Sequence, residues 1–208
     1  YISKNKIQFS TSKIDLKKFN NIFLIAVGKS AGTMTEYVSQ KIKFNHGIVV
    51  VPKEVTPKLN KKIFEIINAG HPLPNRNSLK AGKNLVEFLN KTQKNDFVLF
   101  LISGGGSALS VYPNSISLRD KILVNEELIR SGANINEIAC VRKHLSLIKG
   151  GRLIQNMNCK GISFVVSDVI GDDITSISSG MTSYDKSTFT DALKILKKFS
   201  LQHTLPNS

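Results

Sequence analysis

Tryptophan is absent from the 208-residue chain, and cysteine and methionine are scarce, with two and three copies. The two cysteines, Cys140 and Cys159, are too few for a disulfide framework, and neither lies in the spacing of a metal-binding pair. No apolar run approaches the about 20 residues that a membrane-spanning helix needs, and no signal peptide is visible. These absences exclude a disulfide-rich secreted scaffold and predict a protein of the reducing cytoplasm.

Acidic residues are also under-represented, because 15 Asp and Glu face 29 Lys and Arg, for a formal net charge of +14. Such an excess favours anionic partners, among them nucleic acids, phosphorylated metabolites and small carboxylates. The lysines are scattered along the chain, without interleaved aromatic residues or a recognisable nucleic-acid-binding motif. The pattern therefore argues against nucleic acid and leaves small anionic ligands.

Short apolar runs alternate with segments of helical periodicity, which predicts a parallel sheet covered by helices on both faces. The first 20 residues have a weak pattern that suggests an edge strand and a turn. We expect Ser78 and Asn134 to be helix N-caps, with Glu137 completing a capping box around Asn134. The predicted strands are 22–27, 47–51, 63–67, 97–102 and 162–167, and the later predicted helices are 78–92, 118–131, 135–147 and 188–199.

A glycine loop, Ser103-Gly104-Gly105-Gly106-Ser107, follows the most apolar predicted strand. Glycine tolerates positive φ, so successive amides can form a concave nest for an anion. Ligands of open α/β sheets bind outside the carboxyl ends of the strands, where this loop lies. A tight turn without a ligand is the alternative interpretation.

Lys29 follows the first predicted apolar strand, within Gly28-Lys29-Ser30. A Walker A loop would need a glycine where Phe23 stands, and a dinucleotide fingerprint would need one where Leu109 stands, so both motifs are incomplete. A lysine at a helix N-terminus is electrostatically unfavourable, which suggests an anion shared by its ammonium and the helix amides. A solvated lysine after a tight turn is the alternative.

Further basic residues extend the candidate site. Arg142 and Lys149 are seven positions apart, so we expect both on one helix face, where they could bind phosphate or carboxylate. His71 lies in a rigid loop between Gly70 and Pro72 and could line the same cleft. A solvated helix face and an ordinary loop histidine remain the alternatives.

Three aspartates, Asp168, Asp172 and Asp173, follow the last predicted strand. Carboxylates together with phosphate and water oxygens suit Mg²⁺. The alternative is that Asp172 or Asp173 caps a helix. A lysine, a glycine nest, a basic segment and an acidic loop can jointly handle a phosphate and Mg²⁺, which is what phosphoryl transfer requires.

Six segments, in order along the chain, resemble the glycerate 2-kinase family, whose second domain is called MOFRL. The resemblance covers about Ile22 to Thr182. It implies a Rossmann-like, three-layer α/β/α domain with a mainly parallel sheet. The segments are 27–32, 69–75, 101–109, 128–133, 141–153 and 167–173.

The resemblance implies ATP-dependent, Mg²⁺-assisted phosphorylation of the 2-hydroxyl of glycerate, giving 2-phosphoglycerate, in a cleft between two domains. It assigns Lys29 a catalytic or phosphate-contacting role and assigns Gly104–Gly106 to the nest. Residues 1–208 would then be the N-terminal domain of a two-domain kinase whose MOFRL-type domain is absent from this chain. A relative labelled hydroxypyruvate reductase and a ligand-binding but inactive fragment are the alternatives, and the oligomeric state is left open.

Overall fold

The computed structural model describes residues 1–155, 157–168 and 171–201. Short 3-10 segments at Leu16–Lys18, Arg152–Ile154 and Ile177–Ser179 join the longer elements. Within these ranges, no helix has the length and apolar character needed to cross a membrane. The strands are β1 (Ile2–Ser3), β2 (Lys6–Phe9), β3 (Ser12–Asp15), β4 (Asn21–Val27), β5 (His46–Pro52), β6 (Phe64–Ala69), β7 (Asp96–Ser103) and β8 (Lys160–Val166); the helices are α1 (Ala31–Ser39), α2 (Arg76–Asn90), α3 (Gly106–Leu109), α4 (Leu118–Arg130), α5 (Ile135–His144) and α6 (Phe189–Lys198).

A five-stranded sheet in the order β6-β5-β4-β7-β8 forms the centre of the molecule, and all of its strand pairs are parallel. Strand β7 lies between two neighbours and is buried along its whole length, as its unbroken apolar sequence predicts. Along the chain, β5 and then β6 are added on one side of β4, whereas β7 and then β8 are added on its other side. The carboxyl ends of β4 and β7 therefore form the topological switch point at which such sheets bind ligands.

Apolar side chains from both faces of the sheet form two separate cores. Helices α2 and α3 cover one face, and α1 covers the other together with the antiparallel sheet β1-β2-β3. Helices α4, α5 and α6 pack around a third core. The predicted three-layer α/β architecture is confirmed, and the first 20 residues form part of an outer layer rather than a single edge strand.

Hydrogen bonds at the helix starts correct one predicted cap and confirm another. Asn75, not Ser78, caps α2, because its side chain accepts from the Ser78 amide at 3.0 Å while the Ser78 hydroxyl accepts from the Asn75 amide. Ser78 is therefore the third residue of the helix. Asn134 and Glu137 form the predicted capping box at the start of α5.

Helix α5 ends at His144, so the predicted continuous helix to Leu147 is wrong. The following residues pair with the segment before α4: the Leu147 amide donates to the Tyr112 carbonyl at 2.8 Å, and Ser146 bridges to Pro113. Arg142 and Lys149 consequently do not share a helix face. Tertiary pairing overrides the helical periodicity here.

A buried ion pair holds α5 against the segment that leads into α6. Lys143 Nζ lies 3.4 Å from Asp185 Oδ1, and both side chains are less than a tenth exposed. Burial pushes the pKa of Asp185 up, but hydrogen bonds from Ser187 and the charge of Lys143 outweigh it and leave this pKa below its ordinary value. The pair thus keeps an ionised carboxylate in the interior.

Replacing Lys143 with methionine should destabilise the fold by about 3 kcal/mol, because the Asp185 charge would stay buried without its partner. Urea unfolding at pH 7 measures the loss. Lys186→Met, an exposed change close by in the chain, is the matched control and should shift stability by less than about 0.5 kcal/mol. Equal stability of the two variants would contradict the assigned role of the pair.

Candidate functional site

Two turns meet at the switch point and bind each other through the backbone. The Lys29 amide donates to the Gly104 carbonyl at 2.9 Å, and the Ser30 amide donates to Ser103 Oγ at 3.0 Å. Gly28, at φ +137°, lies so close to Ser103 that a Cβ there would be 2.2 Å from its hydroxyl oxygen. The turn after β4 and the glycine loop after β7 therefore form one unit.

Lys29 and His71 flank the centre of the glycine loop. A Cβ added to Gly105 would lie 3.1 Å from both Lys29 Cγ and His71 Cδ2, and the φ of Gly105 is +89°. The amides of Gly104 and Gly105 carry no hydrogen bond within the described part of the chain. The loop thus places these two amides beside the side chains of Lys29 and His71. Successive backbone amides are the donors of an anion nest.

Asp168 lies beside Lys29 on the exposed side of the glycine loop. Lys29, His71, Asp168 and the loop together form the open edge of the site. Asp168 Oδ2 lies 4.0 Å from Lys29 Nζ, and both side chains are about half exposed. The carboxylate also covers Gly104, since a Cβ there would lie 1.7 Å from Asp168 Oδ2. The structure therefore brings together four of the predicted features: Lys29, His71, the glycine loop and Asp168.

Two buried serines that the sequence patterns did not single out support the glycine loop. The Ser178 hydroxyl donates to the Ser103 carbonyl at 2.6 Å and accepts from the Gly106 amide at 3.1 Å. Ser179 Oγ lies 2.8 Å from Ser107 Oγ. Ser178 and Ser179 both have left-handed backbone conformations, at φ +51° and +58°. In the sequence they belong to a serine-rich stretch that extends to Ser183.

Lys149 contacts the glycine loop from the protein interior and does not lie at the open edge. The side chain is 2% exposed, and its Nζ donates to the Gly106 carbonyl at 3.0 Å. Burial, together with the charges of Lys121 and Arg142, holds the pKa of Lys149 well below its ordinary value. Its position assigns Lys149 to orienting the loop.

The three aspartates do not converge. Asp173 accepts from the Thr175 amide and hydroxyl and from the Ser176 hydroxyl, at 2.7–2.9 Å, which lowers its pKa. Asp172 is exposed, and Val169 and Ile170 lie outside the described residues. No group of three or more His, Cys, Asp or Glu side chains within the described ranges could hold a metal ion. Asp173 is thus held in its own turn and does not cap a helix, since Ser176 is the N-cap of the 3-10 segment that follows. Asp168 is the carboxylate at the glycine loop.

Arg142 belongs to a separate cationic cluster on the other side of Ser107. It lines a cavity of about 110 Å³ together with Lys121, Asn125 and Ser107. Burial lowers the pKa of Lys121 to about 8, and the charge of Arg142 adds to this lowering. Burial also lowers the pKa of Arg142. Lys121 was missed by the sequence analysis because lysine is rarely buried.

We expect Lys121→Met to raise the Tm of the ligand-free protein at pH 7 by about 4 °C or more, because it removes a buried cation that has no paired anion. The folded pKa of about 8 lies below the ordinary 10.5, so the cost of the lysine is greatest below pH 8 and disappears above pH 10.5. The difference in Tm between variant and wild type should therefore shrink from pH 7 to pH 10. A constant difference would contradict the buried charge.

The parallel sheet, with a lysine, a histidine and a glycine nest at its switch point, defines a Rossmann-like α/β domain of the kind that binds ligands at that edge. Residues 1–208 match the family described as "Domain of unknown function (DUF4147)", and the chain belongs to that family.

Relatives of known name cover the same region. The chain is 37% identical over 208 residues to a glycerate 2-kinase of Pyrococcus horikoshii, covering all of this chain and 46% of that protein. It is 40% identical over 198 residues to a D-glycerate 2-kinase of Thermotoga maritima, covering 91% of this chain and 47% of that protein. A crystal structure of a P. horikoshii protein superposes with a TM-score of 0.93 at 36% identity, over 100% of this chain and 47% of that one. The chain thus spans about half the length of these relatives.

Proposed function

We propose that this chain is the N-terminal domain of an ATP-dependent glycerate 2-kinase that phosphorylates the 2-hydroxyl of glycerate. The observation that carries the proposal is the convergence of Lys29 and His71 on Gly105, each within 3.1 Å of its hypothetical Cβ. An ammonium, an imidazole and two amides that have no partner among the described residues suit the charge of a phosphoryl group in transfer. The relatives named as glycerate 2-kinases share this half of their length with the chain.

Each residue of the open edge has its own proposed role. The Lys29 ammonium offsets negative charge on the oxygens of the transferred group, and the amides of Gly104 and Gly105 orient those oxygens. The His71 imidazole can donate a hydrogen bond to an oxygen held against Gly105. Lys149, Ser178 and Ser179 fix the loop, so the amides are oriented before a ligand arrives, which lowers the reorganisation that catalysis requires.

Asp168 is the residue that fits a bound Mg²⁺. Kinase sites hold this ion through one or two carboxylates plus substrate phosphates, and Asp168 offers one exposed carboxylate beside the nest. The ion would supply neutralisation of phosphate charge. The proposed Mg²⁺ site does not include Asp172 or Asp173. The Asp173 carboxylate already accepts hydrogen bonds within its own turn.

The remaining parts of the proposal are a second domain and a location. Because the chain covers under half of the P. horikoshii and T. maritima relatives, we propose that the cleft is closed by a further domain of the MOFRL type. Glycerate, ATP and that domain are the proposed partners, and the cytoplasm is the proposed location.

A coupled assay with the full-length product of the gene tests the activity, with ATP, Mg²⁺ and D-glycerate as substrates. We expect 2-phosphoglycerate to form. Oxidation of NADH by hydroxypyruvate, without ATP-dependent turnover, would overturn the kinase proposal. The alternative of a ligand-binding but inactive fragment is tested on the 208-residue chain itself, where thermal shifts with ATP–Mg²⁺ and glycerate, without turnover, would support it.

A further inference from the structure

The cavity beside Ser107 contains unmatched polar groups on two facing helices. Lys121 of α4 is 8% exposed, whereas Arg142 of α5 is partly buried. Neither side chain forms a hydrogen bond or ion pair within the described ranges, and both line the cavity. The Asn125 side-chain oxygen is also buried without a partner. No acidic side chain from the described part of the chain lines this cavity.

Burying cations without an anion is costly. Lys149 lies close enough to Lys121 and Arg142 for the three charges to repel one another, so this repulsion adds to the cost of burial. The positive charges of Lys121 and Arg142 are therefore balanced only when an anion binds in the cavity. Such a group must be small, since the cavity volume is about 110 Å³, less than the about 150 Å³ that accepts benzene in an apolar cavity.

We propose that this cavity binds the carboxylate of a small hydroxy acid, with Arg142 and Lys121 on the carboxylate and Asn125 on a hydroxyl. The planar guanidinium matches a carboxylate by two parallel hydrogen bonds. The unpartnered Asn125 oxygen needs a donor, which a hydroxyl supplies and an ionised carboxylate does not. The apolar walls, which include Pro72, Leu73 and Val111, fit the carbon of the ligand.

The cavity and the open edge share the glycine loop. Ser107 lines the cavity, whereas Gly105, two residues earlier, contacts Lys29 and His71. An acid held by its carboxylate in the cavity would thus lie next to the proposed phosphate nest. Identifying the acid as glycerate rests on the proposed function, whereas binding of a hydroxy acid does not.

Titration calorimetry of the full-length protein tests the assignment, with D-glycerate, lactate, glycerol and inorganic phosphate as probes. Arg142→Gln and Lys121→Met should each raise the Kd for glycerate and lactate by about ten-fold or more. Arg119→Gln, an exposed change on α4 that does not line the cavity, should leave both values unchanged. Glycerol, which lacks the carboxylate, should bind far more weakly than glycerate.

The outcomes separate this inference from the proposed function. Arginine-dependent binding of hydroxy acids without ATP-dependent phosphorylation would support the cavity assignment and overturn the kinase. Phosphorylation with unchanged KM for glycerate in both variants would overturn the cavity assignment and leave the kinase. An equal loss of phosphate affinity in Arg142→Gln would also overturn it, by showing a general anion site. Lys121→Met keeps the test decisive, because it should fold at least as well as wild type.

Discussion

Lys29→Met in the full-length protein is expected to lower kcat for glycerate phosphorylation by about 100-fold or more, the effect of removing one preorganised charge donor from a transition state. The Tm should not change. Lys29 Nζ lies 4.0 Å from Asp168, and both groups are about half exposed, so their pairing contributes little to stability. Initial rates with ATP and glycerate, together with a thermal melt, measure the two effects.

Lys53→Met is the matched control for this variant. Lys53 is exposed and follows β5, so it lies at the same edge of the sheet, but it does not border the glycine loop. We expect its kcat to stay within about two-fold of wild type, as for surface changes away from special features. Wild-type kcat and KM for both ATP and glycerate in Lys29→Met would remove the basis of the proposed function.

The five strands of the central sheet and the meeting of the two turns were predictable from the sequence, whereas the sheet β1-β2-β3 was not. Runs such as Phe97–Ile102 are too apolar to be exposed, and a parallel sheet brings the carboxyl ends of its strands to one edge. Lys29 and Asp168 each lie two residues past the end of a strand, and the loop 103–107 begins at the last residue of β7, so their convergence follows from topology.

The supporting groups could not be predicted, because their conformations depend on tertiary contacts. Ser178 and Ser179 adopt left-handed backbone conformations that are uncommon for serine. In these conformations their hydroxyls form hydrogen bonds with the glycine loop. Helical periodicity continued past His144, but pairing of Ser146 with Pro113 ended the helix. Burial of Lys121 likewise depends on how α4 packs against its neighbours, which no local pattern encodes.

Gly28→Ala should destabilise the protein by about 3 kcal/mol or more, because two costs act at one position. The backbone at φ +137° is a conformation that residues with a Cβ rarely adopt. The added Cβ would also lie 2.2 Å from Ser103 Oγ and 2.6 Å from the Ser103 carbonyl oxygen. Since that carbonyl belongs to the glycine loop, relief of the clash must move the two turns apart.

Gly132→Ala separates the two costs. Gly132 also has a positive φ, +79°, but a Cβ there would have nothing within 4 Å, so only the backbone cost of about 1–2 kcal/mol remains. Urea unfolding of the two variants should therefore show a clearly larger loss for Gly28→Ala. Separation of the turns would break the Ser30–Ser103 hydrogen bond, so activity should fall in Gly28→Ala and persist in Gly132→Ala. Equal stability losses would mean that the contact between the turns gives way easily, and the nest would then not be preorganised by it.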